Sequence, residues 1–332
     1  MHARKQARQS EQGIDVGRVD ADAPSNLAHR ANQRIELERA RCFDILQHRG
    51  PGGTEPARDG VPFLRGFAHV AAESDPERAP DAQWELIRKH FPEEHYPDDR
   101  PGRKPIPARK VLEAVLWILN TGAQWHMLPQ SYPNYKTVHR RFQQWCQSEV
   151  IRAALTELAN ALREQGEVDE SECYIDATFA SAKGGGEQIG PTRRGKGVKI
   201  MAIVDRHGLP LAVTTHAANH HEVTLVQLTF DFYMIEAKPE NLIGDRAYDS
   251  DPLDEQLRSQ GVELIAPHKS NRVKRKTQDG RRLRRYERRW IIERFFAWIQ
   301  WKRRLLVRWE YYPRNFLGFV QLAALCILLK QF

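Results

Sequence analysis

With 332 residues, the chain is long enough for one large domain or two ordinary ones, and its 51 lysines and arginines outnumber its 43 aspartates and glutamates to give a net charge of +8. This excess favours an anionic partner, more often nucleic acid than a membrane surface. The four cysteines stand far apart without a CxxC pair, which argues against a disulfide framework or a cysteine-rich zinc site and favours a reduced, cytoplasmic protein.

The first segment, residues 1–78, is polar and rich in glycine and proline, as in RGPGGTEPARDG. It buries too little apolar surface to offset the entropy of ordering, so we expect a poorly ordered extension in which only residues 34–48 have a helical pattern. It lacks the apolar core of a signal peptide. A dispensable extension and translation from a start codon upstream of the natural one are both consistent with this composition.

The second segment, residues 79–168, carries four helical patterns and is predicted to form a small helix-turn-helix-like DNA-binding domain. The patterns are DAQWELIRKHF with Asp81 as N-cap, RKVLEAVLWILNTG with Gly122 near its C-cap, KTVHRRFQQWC, and EVIRAALTELANALREQ.

The third of these helices should turn Val138, Phe142 and Trp145 inward. Its outward residues would be basic: Lys136, His139, Arg140 and Arg141. A basic helix face fits a DNA contact, although a solvated basic face is the plain alternative. Trp125, in the preceding loop, could stack on a base, but a place in the core is favoured.

In the third segment, residues 169–332, the period changes from that of helices to that of strands. Strands are predicted at 173–182, 198–205, 209–217, 241–245 and 262–267, and helices at 221–237, 251–261 and 284–304. The order β-β-β-α-β-α-β-α predicts an α/β fold with a mixed sheet flanked by helices. The apolar run Phe316 to Leu329 is shorter than the roughly 20 residues of a membrane span and is predicted to be a buried helix.

Three acidic residues occupy positions at which this fold would bring them together. Asp176 lies inside the first strand, Asp245 closes the fourth, and Glu293 lies on the helix of 284–304, which can pack across both strands. Converging carboxylates repel one another unless cations neutralise them, and hard divalent ions prefer oxygen ligands. The pattern therefore predicts a site for Mg²⁺ or Mn²⁺, with a pair of ions about 3.5–4 Å apart suited to displacement at phosphorus.

The helix of 284–304 places Tyr286, Arg289, Glu293 and Gln300 along one stripe, since residues three, four and seven apart share a face. Its other residues divide into two groups: Phe295, Trp298 and Ile299 toward the sheet, and Trp290, Arg294, Lys302, Arg303 and Arg304 toward DNA. The plain alternative makes Glu293 only the ion-pair partner of Arg289.

Several segments in a fixed order resemble DDE transposases of bacterial insertion sequences, specifically the insertion-sequence-five group. They are GRKPIPARKVLEAVLWILNTGAQWHMLP, YPNYKTVHRRFQQW, IDATFASAKGGG, VDRHGLPLAV, AANHHEVTL, LIGDRAYDS, and the YxxRxxxE pattern of Tyr286, Arg289 and Glu293. The resemblance runs from about Trp84 onward. It implies a ribonuclease-H-like core with Asp176, Asp245 and Glu293 as the catalytic, metal-binding triad.

The resemblance also implies DNA as the partner, both terminal inverted repeats and target DNA, and at least a dimer on that DNA. The predicted DNA contacts are Tyr286, Arg289, Arg294, Lys302, Arg303, Lys183, Lys136, Arg140, Arg141, Lys274 and Arg275. One position departs from the family pattern, because Gln300 stands where the group usually has a lysine.

Other motifs near the triad favour less specific roles. The glycine-rich AKGGGEQIGPTRRGKG lacks the GxxxxGK[ST] pattern of a phosphate loop and is expected to be a turn after the first strand. His216, His220 and His221 have zinc-like spacing, but a place near the helix start of 221–237 is favoured. Asp249 is the main alternative to Asp245, and Asp205 is expected to be a turn residue.

The sequence thus favours a transposase that cuts inverted-repeat ends and joins the freed 3′-hydroxyl to target DNA. A transposase-derived DNA-binding protein or repressor without catalysis is the alternative from another class, and Gln300 favours it. A metal-dependent nuclease that cuts without joining would share the triad.

Overall fold

Among the residues that the structure describes, helices come first, and a seven-stranded sheet with further helices follows. The structure is a computed structural model that describes residues 80–97, 99, 101–273 and 280–332. The predicted extension 1–78, its helical pattern at 34–48, and the predicted DNA contacts Lys274 and Arg275 lie outside the described residues.

All four helices predicted in the second segment are present. They are α1 (Asp81–Ile87), α2 (Ala108–Thr121), α3 (Tyr135–Gln147) and α4 (Val150–Glu164), with 3-10 turns at Arg88–His90, Pro92–His95 and Trp125–Met127. Gly122 closes α2 in the left-handed region at φ 72°, as predicted. The prediction of Asp81 as an N-cap is wrong, because Pro80 takes that position and Asp81 is the first helical residue.

The inward face of α3 is confirmed, since Val138, Phe142 and Trp145 are buried. The outward prediction is wrong for two residues. The Arg141 side chain is 12% exposed and pairs with Glu93 at 3.0 Å, and the half-buried His139 ring lies 4.5 Å from the Trp125 ring. Burial, helped by the nearby Arg304, lowers the pKa of His139. Packing against Phe142 and Phe319 confirms the core place of Trp125.

The sheet has β1 at its centre. Its strands are β1 (Cys173–Ala182), β2 (Gly190–Thr192), β3 (Gly195–Val204), β4 (Pro210–Ala217), β5 (Asn241–Ile243), β6 (Glu263–Ile265) and β7 (Val307–Arg308). β1 is antiparallel to β3, which is antiparallel to β4, while β5 is parallel to β1 and β6 to β5. Without the short β2 and β7, which were not predicted, the strand order across the sheet is β4-β3-β1-β5-β6. The predicted α/β, ribonuclease-H-like mixed sheet is therefore confirmed.

The helices of this part are α5 (Glu222–Phe230), α6 (Asp251–Ser259), α7 (Gly280–Leu283), α8 (Trp290–Gln300) and α9 (Pro313–Leu328). The helix predicted at 221–237 ends at Phe230. The helix predicted at 284–304 divides into a 3-10 turn at Arg284–Arg289, then α8, then a 3-10 turn at Arg303–Leu305. Residues three apart eclipse in a 3-10 turn, which lets Arg285 and Arg288 reach one carboxylate, that of Glu172.

The predicted buried helix is confirmed as α9, which packs against α3, α4 and β4. With its 3-10 continuation it covers Pro313–Gln331, is long and apolar enough to cross a membrane, and is 72% buried over that window. Its packing is close, since a Cβ on Gly318 would lie 2.3 Å from the Cys146 Sγ atom. The helix thus joins the helical segment to the sheet through shared core.

Candidate active site

Strand register brings the two predicted aspartates to one level of the sheet. Tyr174 on β1 pairs with Ile243 on β5 in parallel, and Asp176 and Asp245 each follow their paired residue by two positions. Asp245 lies beyond the end of β5 and caps the 3-10 turn Arg246–Tyr248. Asp176 lies within β1, and positions two beyond a matched pair on neighbouring parallel strands are side by side, so the two carboxylates come close together.

Glu293 reaches these aspartates from α8, which packs on β1 and β3. The Arg289 guanidinium lies among all three acids. Its Nη1 atom is 3.1 Å from Asp176 Oδ2 and 4.0 Å from Asp245 Oδ2, and its Nη2 atom is 2.7 Å from Glu293 Oε1. The structure therefore brings the predicted triad together, and it also contains the Arg289–Glu293 ion pair of the alternative interpretation.

Each aspartate of the site has one oxygen fixed and one turned toward Arg289. Asp176 Oδ1 accepts a hydrogen bond from the Ala177 N–H at 2.8 Å, and Asp245 Oδ1 accepts one from the Ala247 N–H at 2.7 Å. Both Oδ2 atoms face the guanidinium. Backbone donors therefore fix the orientation of both carboxylates.

The donor chemistry of the site fits hard divalent cations, because all three groups offer carboxylate oxygens. With Arg289 between them, the three acids are too far apart to hold an ion directly. In the described part of the chain, no group of three His, Cys, Asp or Glu side chains is close enough to bind a metal ion. The same result gives no support to zinc at His216, His220 and His221. Burial lowers the pKa of His216 to about 4, and its Nε2 lies 2.9 Å from Thr214 Oγ1.

Burial dominates the electrostatics of Asp176 and raises its pKa to about 7. Arg289 and the Ala177 N–H oppose this rise, whereas Asp245 and Glu222 add to it. Burial would lower the pKa of Arg289, but Asp176 and Glu293 outweigh it and raise that pKa. Arg289 thus favours the charged form of Asp176, and Asp176 and Glu293 favour the charged form of Arg289.

Two further residues, Tyr248 and Glu222, lie beside the triad. Tyr248 is fully buried, and burial together with Glu222, Asp176 and Asp245 raises its pKa well above the usual value. Glu222, the first residue of α5, forms an ion pair with Lys199 at 3.1 Å. Glu222 lies near the site, in agreement with the predicted position of the start of α5. No spacing in the sequence identifies Tyr248.

The two spare acids have structural partners of their own. The Asp249 side chain is 4% exposed and accepts from His268 and Arg272 at 2.9 Å and from the Lys269 N–H at 2.7 Å. Asp205 is fully buried and accepts N–H hydrogen bonds within its turn, as predicted for a turn residue. Neither acid points to Arg289, so Asp245 is the better second member of the triad.

A buried carboxylate fixes the position of the turn that precedes α8. Glu172, next to the start of β1, accepts hydrogen bonds from Arg285 at 2.7 Å, from Arg288, and from the Tyr174 hydroxyl at 3.1 Å. Desolvation would raise the pKa of Glu172, but the hydrogen bonds of Arg288 and Arg285 outweigh it and lower that pKa. This clamp holds the turn that carries Arg289 against the strand that carries Asp176.

The predicted DNA contacts fall into exposed and internally bound residues. Lys136, Arg140, Lys183 and Arg303 are exposed. Arg294 instead lies 4.8 Å from both the Trp290 and Trp298 rings and donates to the His207 carbonyl at 2.7 Å. The Tyr286 ring lies 5.7 Å from the Arg289 guanidinium.

Two residues of the predicted basic cluster at 302–304 are bound within the protein. Lys302 donates to Asn120 Oδ1 at 2.6 Å. Arg304 is buried and pairs with Glu310 at 2.7 Å, so the prediction that Arg304 faces DNA is wrong. Gln300 donates to Thr178 Oγ1 at 3.0 Å, two residues along β1 from Asp176. Lys302 therefore does not take the place of the missing lysine.

A ribonuclease-H-like sheet that gathers two aspartates and a glutamate defines the chain as a DDE-domain protein. Comparison with known families agrees, because residues 168–329 match the family model of the transposase DDE domain. Residues 80–155 match the model of a putative transposase of the IS4/5 family. The chain belongs to the DDE transposase family of insertion sequences.

Individual relatives agree with this family. The putative transposase for insertion sequence element IS402 of Burkholderia cepacia is 34% identical over 129 residues, covering 36% of this chain and 57% of the relative. The insertion element IS402 uncharacterized 16.2 kDa protein of the same organism is 32% identical over 116 residues, covering 34% of this chain and 78% of the relative. The chain thus spans little more than half of the first relative.

Among solved structures, the piggyBac transposase in its synaptic complex with hairpin DNA aligns with a TM-score of 0.44 and 10% identity. The alignment covers 76% of this chain and 72% of that one. The family assignment rests on the sequence matches.

Proposed function

We propose that this chain cuts the ends of an insertion sequence at its terminal inverted repeats and joins the freed 3′-hydroxyl ends to target DNA. The observation that carries the proposal is the convergence of Asp176, Asp245 and Glu293 on the Arg289 guanidinium. Three carboxylates that converge beside the central strand suit metal-assisted phosphoryl transfer.

Asp176, Asp245 and Glu293 would hold two Mg²⁺ or Mn²⁺ ions in this proposal. Such ions, when bound, activate the attacking oxygen and stabilise the leaving one. The backbone donors at Ala177 and Ala247 orient the two aspartates before any ion arrives. Arg289 balances the charge of the acids until then, and afterwards its guanidinium is available for a phosphate of the bound DNA.

The helical segment would recognise the inverted repeats in double-stranded DNA. Exposed Lys136 and Arg140 on α3 support this role, because cations on one helix face neutralise phosphates. Cutting two ends and joining them to one target requires at least two active sites, so we propose a homodimer or larger assembly on DNA.

The test uses purified protein and labelled DNA that ends in the element's own inverted repeats, with Mg²⁺ or Mn²⁺. Asp176→Ala and Glu293→Gln should abolish cutting at the repeat boundary. Glu255→Gln, an exposed acid on α6, serves as the matched control and should cut normally. Joined products identify a transposase, whereas cut products without joining identify a nuclease.

A second function, DNA binding without catalysis, is favoured by one observation, the glutamine at position 300 beside Thr178. Tight binding to the repeats with no cutting under either metal would support it and overturn the enzyme proposal.

Gln300→Lys examines this position directly. The new ammonium would lie two residues along β1 from Asp176, where one more phosphate contact should steepen the dependence of log K on log salt by about 0.9. The measurement is DNA affinity across a salt series. An unchanged slope would show that this position does not face a phosphate.

A further inference from the structure

The chain has exposed aromatic rings on the segment that follows α8. Trp309, Tyr311 and Tyr312 are 53%, 61% and 46% exposed, and the Arg314 guanidinium lies 5.1 Å from the Tyr312 ring. These four residues are called here the aromatic ledge. Single exposed apolar residues are ordinary, but three large rings within four positions are not.

The backbone beneath the aromatic ledge is fixed by buried charge. Arg308 is buried, and its guanidinium donates to the carbonyls of Glu310 at 2.9 Å and Tyr311 at 3.0 Å. Glu310 in turn is buried and pairs with Arg304 at 2.7 Å. Rings presented on a fixed backbone lose little conformational entropy when they bind a partner.

The neighbouring glycine-rich loop adds to this rigidity. β7 pairs with the end of β1, and the Lys183 N–H donates to the Arg308 carbonyl at 3.0 Å. A Cβ on Gly184 or Gly186 would lie 2.1 or 2.0 Å from the carbonyl oxygens of Trp309 and Tyr311. The glycines thus allow the loop to lie directly against the backbone of the ledge.

The charge around the aromatic ledge is positive. Residues 301–314 contain one acid, Glu310, which is buried and paired, while Arg303 and Arg314 are exposed. In the adjoining loop, exposed Lys183 and Glu187 offset each other. Exposed aromatic rings beside unopposed cations suit the stacked bases and the phosphates of unpaired nucleic acid.

The spacing of the rings agrees with this partner. Burial alternates along 308–311, so Trp309 and Tyr311 project from the same side of an extended segment. Two residues of strand advance about 6.6 Å, close to two nucleotide rises of about 3.4 Å each. Arg308 pairs with Ala182 in parallel, so Trp309 lies about seven residues along the sheet from Asp176, or about 23 Å, roughly seven nucleotides.

We propose that the aromatic ledge binds unpaired nucleotides of the DNA end, stacking bases on Trp309 and Tyr311 about seven nucleotides from the triad. The inference rests on the proposed function, because strands must separate where an element end is cut and joined. A second copy of the chain is the competing occupant, and the test separates the two.

The experiment measures binding of full-length protein to a labelled oligothymidine and to a duplex of equal length, both in EDTA. Trp309→Ala and Tyr311→Ala should each weaken single-strand binding roughly 5- to 100-fold and change duplex binding less than about twofold. Trp309→Phe should retain most single-strand affinity, and Leu306→Ala, also exposed in this segment, should retain all of it.

Unchanged single-strand affinity in the double variant Trp309→Ala/Tyr311→Ala would overturn the proposal. A lower oligomeric mass of that variant in sedimentation velocity, at unchanged affinity, would also overturn it and identify a subunit contact. Because the assay contains no metal and no cutting, it gives a result even if the proposed transposase activity fails.

Discussion

Arg289 has two roles at the scale of single residues, as the ion-pair partner of Glu293 and as the cation at the centre of the triad. Because a helical i, i+4 pair is ordinary, an ion pair with Arg289 is the plain alternative to a metal-ligand role for Glu293. The structure contains that pair, and the same guanidinium also contacts Asp176. A positively charged residue is thus located where the proposed metal ions would bind.

Arg289→Gln should therefore leave three carboxylates facing one another without a cation. We expect the free energy of unfolding in EDTA to fall by about 1–3 kcal/mol and Mn²⁺ to restore more stability to the variant than to the wild type. Thermal unfolding with and without Mn²⁺ measures both effects. Arg303→Gln, a change at an exposed cation, is the control. Equal stability of Arg289→Gln and wild type in EDTA would contradict the charge-balancing role.

The sequence identified the three acids but not the surroundings that determine their charge. Asp176 lies inside a predicted strand, Asp245 closes another and Glu293 lies on a helix stripe, and the family resemblance selects these three from the acids of the chain. The nearby Tyr248 and the Glu172 clamp depend on which side chains meet in three dimensions. The prediction for Arg304 is wrong for a similar reason. A run of basic residues indicates an exposed surface, but Arg304 is buried in an ion pair with Glu310.

At the scale of elements, Glu172 links β1 to the turn before α8. Glu172→Gln removes the charge that Arg285 and Arg288 share, so we expect a loss of about 1–3 kcal/mol in the free energy of unfolding at pH 7. The folded-state pKa of Glu172 is lowered, so its contribution is complete above the unfolded pKa of about 4.3 and is lost as pH falls through the folded value.

Chemical denaturation of wild type and Glu172→Gln at several pH values measures this difference. It should be largest near neutrality and vanish under acid conditions, where the wild-type side chain is protonated and neutral like glutamine. A difference that persists at acid pH would show that packing, rather than charge, holds the turn against β1.

The glycine-rich loop offers a second test at this scale. Gly184→Ala would place a Cβ 2.1 Å from the Trp309 carbonyl oxygen, and backbone cannot yield as a flexible side chain can. We expect a loss of about 1–3 kcal/mol in unfolding free energy. Gly280→Ala, with no neighbour within 4 Å of the added atom, should be neutral or slightly stabilising. Similar stabilities of the two variants would mean that the loop and the ledge backbone do not touch.

The breaks in the elements also show what sequence patterns miss. The helical period through 284–304 is continuous, yet Arg284–Arg289 winds as a 3-10 turn because Arg285 and Arg288 both bind Glu172. Strand β7 has two residues, too few for any periodic signal, and exists because Arg308 and the glycine loop hold it there. The long strands and amphipathic helices, by contrast, agree with their predicted places.

At the scale of the whole molecule, α9 connects the helical segment to the sheet. Gly318→Ala would bring a Cβ to 2.3 Å from Cys146 Sγ on α3. We expect one cooperative unfolding transition shifted to lower temperature, with a loss of about 1–3 kcal/mol. Cys146→Ala in the same chain should recover part of that loss, because neighbouring changes are not additive. Two separate transitions, with only one shifted, would show that the two segments unfold independently.

The position of α9 also relates activity to protein synthesis. A ribosome produces Asp176 and Asp245 well before Glu293, and α9, which completes the shared core, after all three. At about 5–20 residues per second, the stretch from Glu293 through α9 takes a few seconds, during which the helical segment and the strands exist without the helix that joins them. A chain truncated before Pro313 would keep Lys136 and Arg140 but lack that helix. Under the proposed function, we expect such a chain to bind element ends without cutting them and to compete for those ends with chains that contain α9.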